Sequence, residues 1–254
     1  MSSWSWKDKL KALARRSPIA LTENNRNDLN TKWILQRALP ADAHTVDVGC
    51  HKGEILDLIL RIAPRGKHRG YEPIPAMAAE LRERYARRAG VQIRELALSD
   101  KAGTSSFNHV VTNPSYSGLK RRDYDRPGER DEQITVRTAR LDDELPAGSR
   151  LDLIKIDVEG GELQVLQGAE RILGEQRPLV IFEHGRGAAE HYGAHPEAVY
   201  DVLAKADLRP YQLKTFLKGG PSLSAAAFRR LYEERLDYYF VAAPDERLAG
   251  SKSG

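Results

Sequence analysis

Residues 151–173 read LDLIKIDVEGGELQVLQGAERIL, an apolar run that passes through Asp157, Glu159, Gly160, Gly161 and Glu162 before becoming a helix. A run apolar on both faces suits a central parallel strand. A carboxylate at its carboxyl end then stands beside the crevice where open α/β sheets bind ligands. There Asp157 and Glu159 can orient a hydroxyl, accept its proton or bind a hard cation. A hydrogen-bonded turn is the alternative role for either. Glu162 opens the next helix and suits its positive end, so its expected role is structural. A second apolar run, 178–183, ends in Glu183 and His184, and its end should neighbour that of the Asp157 strand. Histidine titrates near working pH. Asp157 or His184 is therefore the expected base, with Glu159 and Glu183 orienting a substrate. The same four residues are a candidate set for a divalent cation, which the sequence does not demand.

Upstream, residues 44–54 read HTVDVGCHKGE, a strand running into Asp47, Gly49 and Gly53 and then a helix. Glycines at such a turn let a ligand approach the backbone, and the helix start favours a negative group. Gly49 and Gly53 are separated by three residues, which is not the dinucleotide fingerprint. Glu72 ends the next strand in HRGYEPIP, where a carboxylate can accept both ribose hydroxyls of any adenosine cofactor. Ser99 and Asp100 follow the third strand in ELALSDKAGT, in reach of an exocyclic amine or simply in a turn.

These residues need a frame. Strand patterns at 44–50, 68–72, 91–98, 151–158 and 178–183 alternate with helical patterns at 54–62, 76–88, 162–173 and 196–206. Two further β-like runs lie at 104–110 and 134–139, and closing strands at 211–213 and 238–243. Such alternation predicts a mostly parallel sheet with helices on both faces. The organisation expected is an N-terminal helical extension (1–43), one α/β domain (44–243) and a flexible tail (244–254). The stretch 119–133, with ten charges of balanced sign, reads as an exposed loop near the site or merely a solvated one.

Together the segments VDVGCHKGE, YEPIP, LALSD, LDLIKIDVEGGELQVLQGAERIL and VIFEHG resemble the FkbM family of S-adenosylmethionine-dependent methyltransferases, over roughly residues 44–185. The resemblance implies a Rossmann-like, seven-stranded, mostly parallel sheet. It implies O-methylation of a sugar, glycan or natural-product hydroxyl. Asp47, Gly49, His51 and Gly53 would form the cofactor turn, with Asp157 also at the cofactor. Glu72 would take the ribose, Ser99 and Asp100 the adenine side, and Asn113 and Ser117 of NPSYSGL the acceptor. One departure stands out. The family turn usually reads D-V-G-A-N, and here Cys50 and His51 replace its last two residues. His51 can still donate a hydrogen bond, to the carboxylate end of the cofactor or to the acceptor, whereas Cys50 is expected to serve packing.

The rest of the chain narrows the field. In 254 residues, a net charge of +4 with interleaved signs does not suggest nucleic-acid binding. One cysteine excludes an intramolecular disulfide and suits a reducing compartment, so a cytoplasmic protein is expected. No apolar run approaches the ~18 residues of a membrane span, and no secretory signal is expected. Residues 1–18 place Trp6, Leu10 and Leu13 on one face among basic residues, as for a packed helix or a peripheral membrane contact. Two other readings stay open: a nicotinamide-dependent oxidoreductase, and a non-catalytic module at a membrane surface. The acceptor, metal need and oligomeric state are not legible.

Overall fold

The structure, a computed structural model, describes residues 23–124 and 128–245. The amphipathic segment 1–18 and the tail beyond Asp245 lie outside the described residues.

In chain order the strands are β1 (Thr45–Val48), β2 (His68–Tyr71), β3 (Val91–Arg94), β4 (Ala97–Leu98), β5 (Gly103–Val110), β6 (Asp131–Ala139), β7 (Leu153–Ile156), β8 (Leu179–Glu183), β9 (Arg209–Gln212) and β10 (Tyr239–Ala243). Seven of them form one sheet in the order β3-β2-β1-β7-β8-β10-β9, in which only β10 runs against its neighbours. From β1 the chain steps outward to β2 and β3, and from β7 it steps outward the other way. The carboxyl ends of β1 and β7 therefore flank the switch point where such sheets bind ligands. Pro210 is tolerated in β9 because that strand lies at the sheet edge.

Nine helices flank the sheet among the described residues: α1 (Glu23–Ala38), α2 (Glu54–Ile62), α3 (Pro75–Tyr85), α4 (Leu141–Glu144), α5 (Glu162–Gln167), α6 (Glu170–Gln176), α7 (Pro196–Lys205), α8 (Leu213–Leu217) and α9 (Ala225–Glu233). Strand side chains alternate between two apolar layers. Ile154, Ile156, Val180, Phe182 and Phe240 pack with Leu163, Val199 and Phe228 on one face. Leu153, Leu179, Ile181 and Val241 pack with Ile34, Leu35 and Ile59 on the other. Each fully buried Leu or Ile contributes about 1.5–3 kcal/mol.

The structure differs from the sequence pattern in instructive places. The run 91–98 is not one strand, because after β3 the chain leaves the main sheet and β4 joins a three-stranded sheet in the order β4-β6-β5. That small sheet accounts for the β-like runs 104–110 and 134–139. The helix 162–173 is two helices, broken at Gly168, where a Cβ would sit 2.1 Å from the Ser99 carbonyl oxygen. The last residues of the charged stretch 119–133 belong to β6 rather than to a loop. Helices α8 and α9 went unseen because they lie in the connection between the closing strands and carry no strand–helix rhythm.

Candidate active site

Two adjoining cavities open at the carboxyl edge of the sheet, of about 340 and 510 Å³. The first lies over the ends of β1, β2 and β7. Its floor is the turn after β1. Gly49 has φ +75°, and a Cβ there would fall 1.9 Å from the Asp157 carbonyl oxygen, so only glycine lets the two strand ends meet. Asp47 is 2% exposed, and its Oδ2 has no hydrogen-bond partner. Burial, with Asp157 and Glu72 nearby, pushes its carboxyl up to about 7 against the pull of Lys155. His51 has a left-handed backbone, φ +45°, and its buried Nε2 is also without a partner. Burial and Lys52 lower the pKa of its ring, against Glu54 and Asp157.

Glu72 is fixed from two sides: the His51 backbone N–H donates to Oε2 at 2.9 Å and that of Ile74 to Oε1 at 3.0 Å. Burial raises this carboxyl to about 6, and the two hydrogen bonds hold the rise down. Each oxygen keeps a lone pair for a further donor. Beyond Glu72 the wall turns apolar with Ile74, Ala97, Leu98 and Phe107.

The two cavities share Asp28, Ser115, Asp157, Glu159, Glu183 and Tyr239. Strand alternation explains part of this set. Lys155, Asp157 and Glu183 fall on the strand face that turns towards α1, and the register pairs Asp47 with Lys155 and Glu183 with Tyr239. Lys155 is 2% exposed, with Nζ 3.0 Å from Asp157 Oδ2 and 5.2 Å from the centre of the Tyr239 ring. Burial works against its charge, but Asp157, Tyr239 and Asp47 outweigh that and keep the ammonium protonated. Asp157 itself is the exposed partner, at 41% of its side chain. Glu159, at φ +55°, is a non-glycine residue in a strained region and pairs with Arg122 of the charged stretch. Burial and the Asp157 charge push the Glu159 carboxyl up, and Arg122 pulls it back. Burial, then Asp157 and Glu159, push Glu183 well above the usual carboxylate range, against the pull of Lys155. Glu162 accepts the Gly160 backbone N–H at 3.0 Å and holds the turn, the structural role expected of it.

Residues 47–210 match the family described as the methyltransferase FkbM domain. The chain belongs to the FkbM methyltransferase family. It is 28% identical over 185 residues to the 2-O-methyltransferase NoeI of Sinorhizobium fredii (strain NBRC 101917 / NGR234), across 66% of this chain and 73% of that one. It is 29% identical over 161 residues to methyltransferase sdnD of Sordaria araneosa, across 52% of this chain and 62% of that one. Among solved structures, the FkbM methyltransferase of Methylobacillus flagellatus KT shares the fold, with a TM-score of 0.50 and 15% identity over 80% of this chain and 44% of that one. This membership sets aside the nicotinamide-dependent alternative.

Within this FkbM fold, several expected site residues stand elsewhere. His184 is fully buried on the opposite face of β8 from Glu183. Its ring stacks 4.8 Å from that of Tyr232 and 5.9 Å from that of Phe228, and neither ring nitrogen has a partner. It lines neither cavity and is not a base for chemistry there. Ser99 and Asp100 also lie outside the cavity walls. The Ser99 hydroxyl donates to Asp100 Oδ1, because β4 has peeled away and leaves Ala97 and Leu98 facing inward. Gly53 caps α2 and its carbonyl accepts the Tyr85 hydroxyl, away from the wall. Asn113 is likewise outside, whereas Ser117 lines the first cavity, its hydroxyl accepting the Val110 backbone N–H. Cys50 is a packing residue in the cluster of Leu56, Leu81 and Ile93. Among the described residues no three His, Cys, Asp or Glu side chains are grouped to hold a metal ion. The expected set fails because His184 faces away and Glu159 is paired with Arg122.

Lys155, Tyr239 and Asp28 also line the site and are not among the residues expected from the sequence. Lys155 did leave a signal, since a lone lysine in a strand buried on both faces requires a partner charge. Asp28 left none, because α1 reaches the cleft only through tertiary packing.

His184 supports a prediction about stability. Burial, only partly opposed by Glu190, depresses its pKa to about 4 from the ordinary 6.5. An unfolded chain therefore binds this proton more readily. The stability His184 confers is complete above pH ~6.5 and is lost as pH falls towards ~4, by up to about 3 kcal/mol. Elevated carboxyls such as Asp47 act with the opposite sign, so the difference between two proteins is the clean readout. His184→Phe should lose less of its thermal midpoint between pH 7 and pH 4.5 than the parent. Parallel melting curves would remove His184 from the pH response.

Proposed function

We propose that the chain transfers a methyl group from S-adenosylmethionine to a hydroxyl oxygen of a sugar, glycan or natural-product acceptor. The observation that carries this reading is Asp157, held by Lys155 in the wall between two adjoining cavities. The first cavity fits the cofactor by its chemistry. Asp47 Oδ2 is an orphaned acceptor for an ammonium group, directly or through water, and His51 Nε2 is an unpartnered ring nitrogen for its polar end. Glu72 retains lone pairs for ribose hydroxyls, and Ala97, Leu98 and Phe107 offer an apolar slot for a base. A bound sulfonium supplies an already activated methyl group.

The chain's own residues then do three things. The second cavity holds the acceptor with its hydroxyl against Asp157. Asp157 accepts the hydroxyl proton. Glu183, which lines both cavities, hydrogen-bonds a neighbouring polar group of the acceptor, while Glu159, tied to Arg122, fixes the turn that carries Asp157. The relative NoeI is a 2-O-methyltransferase, which supports oxygen as the receiving atom. Among the described residues no helix is long and apolar enough to cross a membrane. The single cysteine suits a reducing, cytoplasmic setting.

Calorimetric titration of the full chain with S-adenosylhomocysteine tests the cofactor half of the reading. Micromolar binding is expected, together with methyl transfer to members of a panel of sugars and glycosides. A folded protein that binds no S-adenosylhomocysteine would overturn it and bring the non-catalytic reading forward.

A further inference from the structure

The second cavity is polarised along its length. Its inner end, shared with the first cavity, presents Asp28, Asp157, Glu159 and Glu183. Away from the first cavity, its outer end is lined by Arg186, Arg235, Tyr232 and Tyr238, while Arg122 pairs with Glu159 of the inner end. The one acidic residue of the outer end, Asp237, is already satisfied. Its carboxylate accepts the Tyr238 and Tyr239 backbone N–H groups at 2.9 and 3.2 Å and the Gln212 amide at 2.8 Å. Arg235 has no ion-pair partner among the described residues. Arg186 pairs with Glu190 at 3.0 Å, but both side chains are more than 40% exposed, and an exposed pair of this kind is cheap to exchange. Arg186 follows β8 and Arg235 follows α9, so two separate segments of the chain bring guanidinium groups to the same rim.

We propose that the acceptor carries an anionic group, a phosphoryl group or a carboxylate, bound by Arg186 and Arg235 while its hydroxyl meets Asp157. The proposal rests on the methyl-transfer reading, because it orients an acceptor in that site. A guanidinium fork matches the oxygens of either anion, and Tyr232 and Tyr238 line the same cavity. Two sources share this chemistry: a phosphorylated or nucleotide-linked sugar, and a uronic acid.

The test uses the full chain saturated with S-adenosylhomocysteine, titrated with pyrophosphate, glucose 1-phosphate, galacturonate and glucose. At least one charged probe should bind about tenfold or more tighter than glucose, with an affinity that falls as salt rises. The double variant Arg186→Gln/Arg235→Gln should lose that preference while binding S-adenosylhomocysteine as the parent does. Preference for the phosphates identifies the phosphoryl source, and preference for galacturonate the carboxylate source. Charged probes that bind no better than glucose, or a double variant that keeps the preference, would overturn the proposal and leave the methyl-transfer reading intact. Failure to bind S-adenosylhomocysteine would instead strike that reading, and this proposal with it.

Discussion

Asp157→Asn should reduce methyl transfer by on the order of 10²-fold to 10⁴-fold, the range that a positioned proton acceptor contributes. Asparagine keeps the shape of the side chain and removes the charge that takes the proton. S-adenosylhomocysteine affinity should hold within about threefold, since one exposed carboxylate is a small part of the charge around that cavity. The fold should be little disturbed, because Lys155 still has the Tyr239 and Asp47 side chains beside it. The measurement is single-turnover transfer to the best acceptor of the sugar panel, with calorimetry on the same preparation. Turnover equal to the parent's would remove Asp157 from the mechanism, and an equal loss of cofactor affinity would reassign it to cofactor binding.

The second large effect is expected at Lys155. This ammonium is the buried cation beside a group of acids that includes Asp47, Asp157 and Glu183. Lys155→Met fills the same space in the strand and deletes the charge. Nothing then opposes the burial and like charge that push the Asp47 and Glu183 carboxyls up, and Asp157 loses its paired cation. Transfer should fall about 10²-fold at pH 7 and recover substantially as pH is raised, a response that simple loss of packing would not produce. The stability cost should stay near about 1–2 kcal/mol, below the usual figure for breaking a buried pair, because Asp157 remains in contact with water. Lys155→Arg should restore part of the rate. A flat pH profile in Lys155→Met would show that the lysine serves packing alone.

Both predictions depend on information of two kinds. The residues around Asp157 could be read from the chain because their signals are local. An apolar strand that ends in carboxylates and glycines has to place them at the sheet's carboxyl edge, and β1 and β7 do so with Asp47, Gly49 and Asp157. Glu72 follows the same logic at the end of β2, and its two backbone hydrogen bonds show why a carboxylate fits that corner.

His184 and Lys155 show where local signals end. Glu183 and His184 are adjacent in the chain and equally chemical in type, yet period-two alternation sends one into the cleft and the other among Phe228 and Tyr232. A strand apolar on both faces gives no indication of which parity meets the cleft. The Ser99–Asp100 turn lies off the cavity wall for a related reason: β4 leaves the main sheet to pair with β6, a contact some forty residues away in sequence. Asp28 and Tyr239 enter from α1 and β10, beyond the 47–210 stretch that matches the family, and Arg235 enters from the end of α9. The chain's short-range patterns thus specify its sheet, its glycine turn and the carboxylates at the strand ends, because each depends on neighbours a few residues apart. Which of those groups face one another, which lysine balances them and which arginines line the second cavity were set by long-range packing, which brings distant segments to one edge of the sheet.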